Sequence, residues 1–145
     1  MRFPVWCALL VVMTGCAAIS PDPLVRYRIE SDAINNPLAA PGDAARGRDV
    51  LMGRDANCLL CHAVPETGAR FMGNIAPALS GVAARLSEGQ MRLRVVDLAR
   101  LNRDTVMPSY YRIEGLNRVA PAYRGKPILS AQQIEDVVAF LQTLQ

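Results

Sequence analysis

Within 145 residues there is one histidine, His62, and it directly follows two cysteines separated by two residues: Cys58-Leu59-Leu60-Cys61-His62. A single histidine excludes any site that needs two protein imidazoles. A zinc site would want four protein ligands, commonly two C-x-x-C pairs or further histidines, and neither is available. A thioredoxin-like dithiol belongs at a strand-to-helix turn of a βαβ unit, which the chain does not show. C-x-x-C-H is instead the pattern of covalent haem c attachment. Two thiols three positions apart on a helical turn can meet the two vinyl groups along one porphyrin edge and form thioethers. The next residue then places its imidazole beneath the iron. Cys58 and Cys61 are therefore expected to hold one haem c, with His62 as the proximal iron ligand. Its second ring nitrogen is left to donate to a backbone carbonyl.

The second axial ligand must come from another residue type. Beyond the N-terminal region the methionines are Met52, Met72, Met91 and Met107. Met52 is six residues before Cys58, on the same side of the haem as His62. Met91 falls on the core-facing stripe of a helix, where packing explains it. Met72, between Phe71 and Gly73, is an early candidate. Met107 follows His62 by 45 residues in the irregular stretch Thr105-Val106-Met107-Pro108, where proline stiffens the chain. Met107 is the expected ligand, with Met72 as the alternative. His/Met ligation favours ferrous iron and leaves no open position for substrate, so it suits electron transfer better than bond-making.

With 51% apolar and 20% charged residues the chain suits one globular domain. A net charge of +3 is too mild to suggest a nucleic-acid partner. No apolar run reaches the roughly 18 residues of a membrane-spanning helix. Residues 1–15 read as an export signal, with Arg2 before the apolar stretch Val5 to Met13. Gly15-Cys16 resembles a lipoprotein cleavage site, which would make Cys16 an acylated first residue and anchor the protein to a membrane. Cleavage within Ala17–Ala18, with no anchor, is the alternative. Either way the protein is expected in the periplasm. The expected divisions are an export signal (1–15), an N-terminal extension (16–41) and a monohaem domain (42–145).

The domain reads as all-α. Asp43 caps a helix that runs to about Gly53, and Gly47 leaves a bare spot on it for a crossing helix. Ser87 and Gln90 form a capping-box pair that opens a helix to about Leu101, with Met91, Val95, Leu98 and Leu101 on one face. Ser130 and Gln133 repeat the box before Ile134, Val137, Val138, Leu141 and Leu144. Phe140, beside this stripe, could fill the space over Gly47. A strand signal is confined to Leu24 to Ile29.

Two packed terminal helices, a haem loop, a middle helix and a methionine loop resemble the class I cytochrome c fold. Ala76-Pro77-Ala78-Leu79-Ser80-Gly81 is similar to that fold's G-P-x-L-x-G segment, with Ala76 in place of the first glycine. The resemblance implies that the Pro77 carbonyl accepts the ring N–H of His62. A narrower likeness rests on Gly42 to Arg48, Asn57 to His62, Val106 to Tyr111, Asn117 to Ala120, Tyr123 to Leu129 and Ala131 to Leu141. These segments resemble the SoxX family, the small cytochrome c subunits of the periplasmic sulfur-oxidation (Sox) system. That resemblance implies a heterodimer with a SoxA-like cytochrome c subunit, which carries the bond-making haem. The pair couples thiosulfate to a cysteine of a carrier protein, an L-cysteine S-thiosulfotransferase reaction. The SoxX-like member would have no catalytic residue of its own and would pass electrons to a soluble cytochrome c. A free-standing monohaem carrier and a haem-based sensor are the competing classes.

Between residues 92 and 126 eight basic side chains face three acidic ones. The eight are Arg92, Arg94, Arg100, Arg103, Arg112, Arg118, Arg124 and Lys126. This collar around Met107 would steer an acidic partner or hold haem propionates, or be a solvated surface. Tyr110, Tyr111 and Tyr123 lie among these charges and fit either an interface or haem-pocket packing.

Overall fold

The structure, a computed structural model, describes residues 24–145. The expected export signal and Cys16 lie outside the described residues. Among the described residues four α-helices carry the domain: α1 (Ala44–Met52), α2 (Val82–Arg85), α3 (Glu88–Asp97) and α4 (Ala131–Gln142). Between them run irregular segments with 3₁₀ turns at Cys58–Leu60, Pro65–Thr67, Leu98–Arg100 and Pro121–Tyr123. The fold is all-α, as expected for a class I cytochrome c.

Helix starts follow local chemistry. The Asp43 carboxylate accepts from Arg46 N at 2.8 Å at the head of α1. Ser87 with Gln90, and Ser130 with Gln133, form complete capping boxes at the heads of α3 and α4. The α4 stripe Ile134, Val137, Val138 and Leu141 is buried as its periodicity predicts, and Leu144 just beyond it is buried too. α3 narrows into the 3₁₀ turn at Leu98, which swings Leu101 outward. Leu101 is exposed rather than part of the buried face.

The α1–α4 crossing is close enough to need glycine. A Cβ on Gly47 would lie 1.8 Å from the Asp136 carbonyl oxygen and 3.0 Å from Phe140 Cβ. Phe140 does cover this bare spot, as its position on the stripe suggested. The crossing is pinned at its edge by Asp136. Its carboxylate accepts from Asp43 N at 2.9 Å and takes Arg46 in a two-point grip at 2.8 and 2.9 Å.

Residues 24–29 form no strand, contrary to the sequence signal. A strand needs a neighbouring edge for its backbone groups, and this segment finds side chains instead. Val25 N donates to the Tyr111 hydroxyl at 3.0 Å, while Leu24, Tyr27 and Ile29 pack on the core. Glu30 and Ala33 then exchange two backbone bonds across a tight turn with Ser31 at positive φ. Ile34 and Leu38 plunge into the core beyond it.

Under this segment lies a buried ion pair. Arg92 and Glu135 meet through two bonds of 2.8 and 2.9 Å, and both side chains are almost wholly buried. Arg92 also donates to Ile34 O at 2.7 Å and to Glu88, while Glu135 accepts from Leu38 N at 2.8 Å. Each guanidinium nitrogen and carboxylate oxygen of the pair has a partner, which is the condition under which buried charge is tolerated. The N-terminal segment, α3 and α4 are thereby tied at one point.

Candidate haem site

Cys58 opens the 3₁₀ turn that follows α1, entered through Asn57 in the left-handed region (φ 47°). Cys61 N and His62 N both bond back to the Cys58 carbonyl, at 3.1 and 2.9 Å. This closed turn presents the two thiols and the imidazole as one rigid unit. Residues 73–79 wrap around it. Gly73 N donates to Leu59 O at 2.7 Å, Ala76 N to Cys61 O at 3.0 Å, and Leu79 N to Ala63 O at 3.0 Å. The approach is so close that a Cβ on Gly73 would lie 2.0 Å from the Leu60 carbonyl. Ala76 fits where the G-P-x-L-x-G pattern has glycine.

The Pro77 carbonyl lies 2.6 Å from His62 Nδ1. A carbonyl can only accept, so Nδ1 carries the hydrogen and Nε2 keeps its lone pair for a metal.

Met107 is positioned through its neighbours. Ser109 donates to the fully buried Asp97, Tyr110 N donates to Val95 O at 3.3 Å, and Tyr111 N to Val96 O at 3.2 Å. Leu129 N in turn bonds Tyr110 O at 3.0 Å. The methionine loop is thus fastened to the C-terminal half of α3 and to the lead-in of α4. Met107 N itself bonds Thr105 Oγ1 at 3.1 Å.

These parts converge on one cavity of about 390 Å³. Cys58, His62, Pro77 and Met107 all reach its wall, which is otherwise built from apolar side chains such as Leu51, Val82, Met91, Val95, Val137 and Leu141. Cys61 does not line it but belongs to the same closed turn. Met72 is used elsewhere: its sulfur accepts from Val64 N at 3.1 Å. Met52 is exposed, and Met91, buried in α3, contributes to the wall.

Burial pushes the Cys58 thiol up to about 11, opposed in part by the neighbouring Tyr110 hydroxyl. Burial, followed by the neighbouring Cys58, pushes the Tyr110 hydroxyl well above its ordinary value, and that hydroxyl donates to Ala56 O at 2.6 Å. The donor set fits a haem: an apolar enclosure for the macrocycle, thiols for its edge, and an imidazole and a thioether for the iron.

The proposed basic collar is largely taken apart. Arg92 is buried, Arg94 pairs with Asp32 at 3.6 Å, and Arg100 and Arg112 lie 3.3 and 3.4 Å from the buried Asp97 carboxylate. Exposed positions remain at Arg103, Arg118, Arg124 and Lys126. Tyr110 and Tyr111 are buried packing residues, while Tyr123 donates to Asp55 at 2.7 Å. Sequence reasoning assigned no role to Asp97 or Arg85, nor a cavity position to Arg94. For Arg94 a signal existed, since it stands three residues after Met91 on the same helical stripe.

Comparison with known proteins gives a consistent result. The cytochrome c family model matches residues 44–145. The crystal structure of SoxXA from P. pantotrophus contains a chain 36% identical to this one, with a TM-score of 0.75. The match covers 81% of this chain and 93% of that chain. A search of curated protein sequences finds no match.

Proposed function

From the membership of this chain in the cytochrome c family, as a SoxX-like cytochrome with covalently bound haem c, we propose that it is the electron-transfer subunit of a thiosulfate-conjugating complex. The observation that carries this is the placement of His62 and Met107 on the wall of one cavity. Cys58 and Cys61 would hold the haem, and His62 and Met107 would supply the ligands to its iron. With both ligands supplied by this chain no position would remain for substrate, so bond-making would belong to a SoxA-like partner subunit. The bound haem supplies reversible one-electron transfer.

The role of the chain is to fix that group and lower the reorganisation that accompanies each transfer. Pro77 fixes the tautomer and plane of His62. The Asp97–Ser109 contact and the α3 carbonyls fix the methionine loop, and the apolar wall excludes water. In the complete reaction a carrier-protein thiol and thiosulfate form a sulfur–sulfur bond. They lose two electrons and the thiol proton. This chain would receive the electrons singly and deliver them to a soluble cytochrome c. The site is proposed to work in the periplasm, with a lipid anchor at Cys16 as the further possibility raised by the sequence.

The test is co-purification of the tagged, haem-loaded chain from its source organism grown on thiosulfate. Anaerobic addition of thiosulfate and the carrier protein to the isolated assembly follows. The expected result is a second c-type cytochrome at one-to-one stoichiometry and reduction of this chain's haem only when both substrates are present. A monomer whose haem stays oxidised in the reconstituted mixture would instead mark a free-standing periplasmic carrier for an unrelated oxidoreductase.

A further inference from the structure

Apart from His62, the wall of the haem cavity carries two basic side chains, Arg85 and Arg94. They are differently held. Arg85 is exposed, and its guanidinium already serves two carbonyls, Ser80 O at 2.8 Å and Ala78 O at 3.0 Å. Arg94 has only about a quarter of its side chain exposed and is gripped from the N-terminal segment. Its Nη1 donates to Gln90 O at 2.9 Å and approaches Asp32 O at 3.5 Å, while its Nη2 lies 3.6 Å from the Asp32 carboxylate. Asp32 is itself fixed by Gln90 Nε2 at 2.8 Å. The tight turn at residues 30–33 presents it, and the burial of Ala33 and Ile34 anchors that turn.

A haem carries two carboxylates, and a carboxylate brought to an apolar wall needs a cation. Arg94 is placed to meet that need. Its charge would then be shared between the haem and Asp32. We propose that Asp32 is a positioning residue for the haem site: it pairs with Arg94 and holds part of that cation's charge back from the haem, which favours the ferric state. The segment before the haem domain thereby sets the redox equilibrium of the haem, in addition to packing against the core. Sign follows from charge. Ferric haem carries one more positive charge than ferrous haem, so a nearby cation favours ferrous iron and a nearby anion favours ferric iron.

The experiment is an optical redox titration of the haem-loaded full chain, with thermal unfolding of the same samples. Asp32→Asn should shift the equilibrium toward ferrous haem by about threefold or more, and Arg94→Gln should shift it toward ferric. Asp32→Glu should restore most of the original equilibrium. In the Arg94→Gln background, Asp32→Asn should have a clearly smaller effect, because the arginine through which it acts is gone. Asp32 is partly exposed, so its variants are expected to fold. A melting temperature that falls while the redox equilibrium stays put in every variant would make Asp32 a structural residue only and overturn the proposal. An equal shift with and without Arg94 would overturn the route through the arginine. Failure of either result leaves the assignment of the partner subunit unaffected, because the titration needs no partner.

Discussion

Met107 owes its place to bonds made by its neighbours, which gives the ligand assignment a sharp test. Because Ser109, Tyr110 and Tyr111 fasten the loop to α3, truncating the Met107 side chain should leave the loop in place. Met107→Ala is therefore expected to keep its haem through a denaturing gel while the ferric spectrum turns high-spin and the potential falls. Met72→Ala should change neither, since the Met72 sulfur is spent on Val64 N. Retention of the original spectrum by Met107→Ala, with its loss in Met72→Ala, would transfer the ligand to Met72. At this scale the haem motif was legible because its chemistry is contiguous in the chain. Arg92 and Asp97 were not. A charged residue in a helical pattern reads as a solvent-facing one unless its partners are known, and the partner of Arg92 stands 43 residues away. Nothing local marks Glu135 as that partner.

Helices were legible where caps and stripes agree, and the α1–α4 crossing was anticipated from one glycine and one phenylalanine. The backbone group met there was not, because only the packed structure shows that Gly47 faces the Asp136 carbonyl. Gly47→Ala should separate the two terminal helices, costing about 3 kcal/mol, the upper end for overpacked sites. Chemical denaturation of the haem-loaded protein measures this. Retention of full stability would mean that the helices can slide apart cheaply. Asp136 provides an independent test of the same crossing. Its hydrogen bond with Arg46, ahead of the opposing effect of burial, holds its carboxyl below the ordinary carboxylate value. A group depressed in this way stabilises the fold above its unfolded pKa, about 3.9, and loses that contribution as pH falls through the lower folded value. Asp136→Asn should therefore cost about 1–2 kcal/mol at neutral pH, allowing for the exposure of Arg46. The gap from the original protein should hold from neutral pH down to about pH 4 and close below it. A gap that stays constant through acid would assign the loss to packing instead of charge. The strand signal at residues 24–29 failed for a reason of the same scale. Alternation describes a segment with one apolar side, and a side chain such as Tyr111 can serve that segment as well as a strand edge does.

Among the described residues, three of the four most exposed large apolar side chains flank the haem-bearing turn, the fourth being Val106 beside Met107. Leu60, Phe71 and Ile75 are 63%, 85% and 70% exposed. The bonds from Gly73 to Leu59 and from Ala76 to Cys61 bind residues 71–76 along that turn, so these side chains flank the cysteine edge of the haem site. Arg70 lies over the Phe71 ring, 5.9 Å from its centroid, adding a cation to the rim. Apolar groups rimmed by charge are the surface of an interface more than of a solvated face. Contact here would also suit electron transfer, since thioethers at Cys58 and Cys61 would offer a short covalent route outward. On the proposed function the occupant is the SoxA-like subunit. Phe71→Ser with Ile75→Ser should weaken that association by at least about tenfold, roughly 1.4 kcal/mol, the loss of a modest interface anchor. Titration calorimetry between the isolated haem-loaded subunits reads the affinity, and an unaltered haem spectrum shows that the site behind the patch is intact. Should affinity stay unchanged, the partner must dock elsewhere. The exposed Arg118, Arg124 and Lys126 would then be the next surface to neutralise, with a slower, salt-sensitive association as the sign that charge guides the encounter.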